Sequence, residues 1–159
     1  MEVEFDVQMT SADLYDYMLH HTYTSASGLI GSVAGALMVV AGASGGGILC
    51  LIAGIIVLLY LPVTLFLKSK QQFLSNPSFK KPLHFKMTEE GIEVSQEDTT
   101  QVCPWEQIYK VTSTKSSIVV YTSRVNAFLF ARKDMGELTN EVIRTISTHV
   151  SPNQVKIRW

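Results

Sequence analysis

The chain has 159 residues, of which 47% are hydrophobic and only 17% charged, and its formal net charge is −1. That length suits one ordinary domain or a small domain with an anchor, and its charge content is low beside the ~25% usual for soluble domains. The near-neutral total argues against a nucleic-acid binder, which needs a concentrated basic surface.

The average hides a segregation. No Asp, Glu, Lys or Arg occurs in the 51 residues from Tyr17 to Leu67. All 13 Lys and Arg lie at Lys68 or later, whereas the first 16 residues carry five acids and no base. From Lys68 onward 13 bases stand against nine acids. The two cysteines, Cys50 in the apolar run and Cys103 in the polar part, fit unpaired thiols in a reducing compartment.

The first element is VEFDVQM, whose Val3, Phe5 and Val7 alternate with acids as a strand with one wet face does. In TSADLYDYMLHH, Thr10 and Ser11 supply hydroxyl caps and Asp13 lies in the first turn of a helix with Leu14, Tyr17 and Met18 on its stripe. A strand this short needs partners, so residues 1–21 are expected to dock on the later polar segment.

Residues 22–67 form one apolar tract of 46 residues. As a single helix it would extend roughly 70 Å, over twice the ~30 Å hydrocarbon core of a bilayer. The stretch GASGGG, Gly42–Gly47, provides the turn-forming residues for a fold-back, which predicts two crossings, Ser25–Ala41 and Ile48–Leu67. An acidic leader argues against a cleaved signal peptide. Small residues notch both helices. Gly31 and Gly35 form G-x-x-x-G beside a ridge of Gly28, Ser32 and Ala36, and Gly46, Cys50 and Gly54 notch the second helix. Such notches pack the hairpin against itself or, in the sharper reading, build an oligomer face. Pro62 is expected to kink the second helix, with Tyr23 and Phe66 as interfacial aromatics. Lys68, Lys70, Lys80 and Lys81 follow the second crossing, in a juxtamembrane basic linker of residues 68–82. By the positive-inside rule they place both termini in the cytoplasm, and they are also candidates for contact with anionic lipid.

KSKQQFLS continues the helix up to Asn76-Pro77, and residues 83–159 turn to short strands: LHFKM, IEVSQ after the turn EEG, QVCPWEQIYKVTSTK after EDTT, IVVYTS and NAFLFAR. About five strands in hairpin order make an antiparallel meander. DMGELTNEVIRTISTHV closes it as one amphipathic helix, with Asp134 and Glu137 as its capping box and Met135, Leu138, Val142, Ile143, Ile146 and Val150 on the stripe. The expected fold is an α+β membrane protein: a two-helix transmembrane hairpin plus a small pleckstrin-homology-like β domain.

The motifs F-x-M-T-E-E-G-I-E-V, W-E-Q-I-Y-K-V, I-V-V-Y-T-S and A-F-L-F-A-R-K-D-M, from Phe85 to Met135, resemble the YcxB-like family of bacterial membrane proteins. The family usually carries a proline before its closing lysine, where this chain has Arg132 before Lys133. The resemblance implies an integral protein of the bacterial cell membrane with a cytoplasmic domain, and supplies no catalytic residues.

The residues themselves offer little chemistry. His20, His21, His84 and His149 stand in no metal-ligand spacing, and no nucleophile elbow, phosphate loop or dinucleotide fingerprint occurs. The apolar tract holds no ionisable side chain of the kind that marks a transport path. No enzyme, metal or cofactor is expected. Trp105 is either a plug under the sheet or a ligand contact. The readings that remain are a membrane-anchored module for a protein or peptide partner, a protein that binds anionic lipid or organises the bilayer, and, more weakly, an immunity protein against a membrane-active toxin.

Overall fold

The computed structural model describes residues 2–157, so Trp159 lies outside the described residues. The chain divides into two compact units, Leu14–Ser75 and the residues on either side of it.

The outer unit is built on two four-stranded sheets. In the first, β1 (Val3–Val7), β2 (Leu83–Met87), β3 (Gly91–Gln96) and β4 (Thr99–Pro104) lie in that order, all antiparallel. The register pairs Val3 with Met87, Phe5 with Phe85 and Val7 with Leu83. The N-terminal strand thus adds to a sheet whose next strand begins after the whole apolar tract. The second sheet has the order β7 (Ala127–Ala131), β6 (Ser117–Tyr121), β5 (Lys110–Ser113) and β8 (Val155–Lys156). Its last strand runs parallel to β5. Phe5 and Phe85 of the first sheet meet Phe130 of the second edge-on, with ring centroids 5.1 and 4.8 Å apart, and Phe128 joins them.

Three sequence expectations are corrected here. QVCPWEQIYKVTSTK is not one strand: a 3-10 turn at Trp105–Gln107 separates β4 from β5. The single meander therefore becomes two sheets, with six strands between Leu83 and Ala131 and β8 in addition. The closing helix is broken as well. Gly136, at φ 53, ends the short α4 (Arg132–Met135), and α5 runs from Thr139 to His149. Leu138 is consequently exposed, while Met135, Val142, Ile143, Ile146 and Val150 are buried. Asp134 caps no helix with Glu137; its carboxylate accepts the backbone N–H of Gln8 at 3.1 Å.

In the other unit, α1 (Ser11–Tyr23) leads from the outer unit into α2 (Ala26–Ala41) and α3 (Ile48–Ser75). Thr10 and Asp13 cap the start of α1 reciprocally: the Asp13 carboxylate accepts from the Thr10 N–H at 2.9 Å, and the Thr10 hydroxyl accepts from the Asp13 N–H at 3.2 Å. GASGGG forms a π-type turn, Gly42–Gly46, and the chain reverses through Gly45 at φ 105 and Gly47 at φ 91, values that L side chains rarely adopt. Two helices are long and apolar enough to cross a membrane: α2 with its turn, at mean hydropathy 1.8, and α3, at 2.8. Residues 68–75 are the last turns of α3, as expected of KSKQQFLS, and the helix continues through Pro62.

Two substitutions test these cores. Phe5→Ala opens the aromatic cluster between the sheets and is expected to cost about 3–5 kcal/mol in urea unfolding followed by tryptophan fluorescence. Gly54→Leu would place its Cβ 2.7 Å from the Val39 nitrogen and 2.9 Å from the Gly35 oxygen. It is expected to destabilise the helix pair by about 1–3 kcal/mol in a denaturing-detergent titration. Gly31→Leu, where a Cβ meets nothing within 4 Å, should leave that titration unchanged.

Candidate functional site

Trp105 is held by what precedes it. Pro104 turns the chain out of β4, and the indole drops into the core with 8% exposure, its Nε1–H donating to the Thr88 carbonyl at 2.9 Å. The ring stacks on His149 of α5, with centroids 4.7 Å apart and planes 13° apart. The Thr145 carbonyl, 2.9 Å from His149 Nδ1, can only accept, so Nδ1 carries a proton. Nε2 lies 3.3 Å from the Glu89 carboxylate in the β2–β3 turn. Trp105 therefore joins the end of α5 to the first sheet, and its one polar atom is already committed.

The charges of the outer unit are sorted by sheet. From Met87 to Tyr109 there are six acids, Glu89, Glu90, Glu93, Glu97, Asp98 and Glu106, and no base. From Gln107 to Ala131 there are three bases, Lys110, Lys115 and Arg124, and no acid. On the outer face of the first sheet Lys86 lies 3.0 Å from both Glu2 and Glu4, and His84 lies 2.7 Å from Asp6. The carboxylates of Glu2 and then Glu4 hold the Lys86 ammonium above its ordinary range. Such a raised lysine stabilises the fold below the ordinary lysine range while the two carboxylates are ionised, and the contribution is lost as strongly alkaline pH deprotonates it.

β4 is the long open edge. Residues 99–102 are exposed on both faces of the ribbon, and β4 ends its sheet in the pairing order. The Trp105 N–H donates to the Glu90 carbonyl, which fixes the antiparallel alternation. Gln101 and Cys103 bond inward to β3, and the N–H and C=O of Thr100 and Val102 point away from the sheet.

The basic residues after the apolar tract are scattered in environment. Lys68 and Lys70 are exposed on α3, with the Lys70 ammonium 4.6 Å over the Phe66 ring. Lys80 is exposed, and Lys81 pairs with Glu97 at 2.5 Å. Of the glycines, Gly35 abuts Val57 and Leu58, and Gly54 abuts Val39 and Gly35, so these two form the contact between α2 and α3. A Cβ at Gly31 would meet nothing within 4 Å. Among the described residues no three His, Cys, Asp or Glu side chains gather as a metal-binding group.

Two contacts had only a faint sequence signal. Asp13 is buried and also accepts from Lys133 of α4 at 2.7 Å, across 120 positions. The Arg132 N–H donates to the Ser116 carbonyl at 2.8 Å. A proline at 132 has no N–H and could not make that bond.

Residues 88–148 match the family model of YcxB-like protein. The match covers β3 to α5, including the acidic ribbon, Trp105 and α4. No curated protein and no solved structure matches the chain.

Replacing Trp105 by Phe keeps the stack but removes the donor to Thr88, and the expected loss is about 0.5–1.5 kcal/mol in urea unfolding followed by circular dichroism. Burial pushes the Cys103 thiol up. Alkylation of Cys103 at mildly alkaline pH should therefore be slow in the native protein and accelerate on unfolding, read by mass spectrometry.

Proposed function

We propose that this chain is an integral membrane protein whose apolar hairpin crosses the bilayer twice and holds a non-catalytic, pleckstrin-homology-like interaction module at the cytoplasmic surface. One observation carries the reading. Along α2 and α3 the large apolar side chains stand exposed: Ile30 and Leu37 on one helix, Leu49, Ile56 and Leu59 on the other. A core helix of a soluble protein hides such residues; these have only each other, and only 6% of the most apolar window of α3 is buried. Lipid is the solvent that makes such a surface favourable.

The orientation rests on Lys68 and Lys70 at the end of the apolar stretch against an uncharged apex. The interaction role rests on a charge-sorted two-sheet unit with an open edge. Tethering raises the effective concentration of membrane-associated partners, so modest affinity is enough.

Single cysteines at Ser44, Glu2 and Ser95 in a chain lacking Cys50 and Cys103 test the placement with a membrane-impermeant thiol reagent on intact cells. Labelling at Ser44 alone is the expected result. Labelling at Glu2 and Ser95 inverts the protein, and labelling at all three removes the bilayer. Removal of residues 76–159, with insertion of the hairpin checked by the Ser44 site, is expected to lose any protein co-purified from gently solubilised membranes. An unchanged set of co-purified proteins would overturn the module.

A further inference from the structure

We propose that β4 is a docking edge for a basic, extended peptide segment of another protein, which adds as a fifth strand to the first sheet. This rests on the interaction reading above and names its surface and the chemistry of its partner.

Sheet edges are common, so the choice among the four matters. β1 is covered: the Gln8 N–H that follows it is taken by Asp134, and α4 and α5 pack against it. β8 has only two residues, and the second half of β7 is buried. β4 has six residues, four of them exposed in succession, and its Thr100 and Val102 backbone groups point outward. It also lacks the usual guards of an edge. No lysine lies on it, its one proline is its last residue, and its register with β3 runs from Gly91–Pro104 to Gln96–Thr99 without a bulge.

The charges choose the partner. β3, β4 and their flanking turns hold Glu89, Glu90, Glu93, Glu97 and Asp98 and no base. Along one row of the outer face Glu4, Lys86, Glu93 and Val102 follow one another across the four strands. Lys86 is engaged by Glu2 and Glu4. A residue added beyond Val102 therefore finds an exposed apolar side chain beside it and Glu93 one strand further in. An arginine or lysine fits that row: its stem lies on Val102 and its cation reaches Glu93. An acidic segment would meet like charge at Asp98 and Glu90, beside Glu97, which is paired with Lys81, and Glu89, which lies 3.3 Å from His149.

The test uses the full chain in nanodiscs of neutral phosphatidylcholine and a short fluorescent peptide alternating arginine with valine. The reference peptide replaces each arginine with glutamate. Binding of the basic peptide alone, weakening with salt, is expected. Thr100→Pro removes an outward N–H and no backbone bond to β3, together with the Thr100 hydroxyl's 3.0 Å contact with Ser95, and should weaken binding about tenfold or more, the loss of one strand hydrogen bond with its neighbours. Glu93→Lys and Val102→Lys should each weaken it to a similar degree. Trp105 fluorescence checks the fold; if Thr100→Pro disturbs it, the two lysine variants decide. Equal binding of the glutamate peptide, or binding that survives Glu93→Lys and Val102→Lys, overturns the proposal. Proteins co-purified with the wild-type chain separate this from the broader reading. If the β4 variants keep them and removal of residues 76–159 loses them, the edge is wrong and the module stands. If neither change loses them, both fail.

Discussion

The structure depends on the pairing of β1 with β2. Five residues at the start of the chain and five after the apolar tract lie side by side in fixed register, from Val3–Met87 to Val7–Leu83. Everything between, Gln8 to Pro82, is therefore a loop that leaves and rejoins one sheet. A long insertion closed in this way carries a chain-entropy cost that grows only slowly with its length. The pairing is fixed by side chains: Phe5 stacks on Phe85, and both meet Phe130. A one-residue slip would turn Phe5 out and Glu4 in. A segment whose two ends are joined to one sheet can cross a bilayer only an even number of times.

The same junction is locked by one ion pair and one charge-assisted hydrogen bond. Lys133 reaches the buried Asp13 at the start of α1, and Asp134 takes the Gln8 N–H at the end of β1. Removing Lys133 would leave a buried carboxylate that still accepts from Thr10 but has lost its cation. The matched stretch thus supplies, through α4, the side chains that hold the N-terminal strand against it.

Much of this was legible in the sequence wherever local chemistry decides. Alternation in VEFDV and LHFKM, the Thr10–Asp13 cap and the glycines of GASGGG each fix a local conformation from a few neighbouring residues. The placing of Lys133 against Asp13 was not legible, since the two are 120 positions apart and the local cap of Asp13 says nothing of a distant partner. Trp105 was found but its consequence was missed: a proline and a bulky ring in succession end a strand, so the meander splits into two sheets. Gly136 was read as a helix residue because the apolar spacing runs on through it. A backbone at positive φ interrupts the helix without interrupting the pattern. β8 escaped because two residues of strand give no periodicity. Gly31 and Gly35 are alike in sequence, yet only Gly35 meets α3, because which face of a helix is occupied depends on the partner's notch at Gly54.

An open, bulge-free edge is a hazard as well as a site, since two copies of β4 could pair with each other. The acids resolve that conflict. Glu97 and Asp98 stand at one end of β4 and Glu89 and Glu90 in the turn near the other, with Glu93 one strand in. Antiparallel pairing of two β4 strands would bring each copy's Glu97–Asp98 turn toward the other's Glu89–Glu90 turn, with no base on either ribbon to offset them. Lys81, bonded to Glu97, neutralises part of this charge from outside the ribbon. The membrane anchoring proposed above would raise the local concentration of like copies and of partners together. Repulsion between identical edges is then the term that leaves β4 free for a segment of opposite sign.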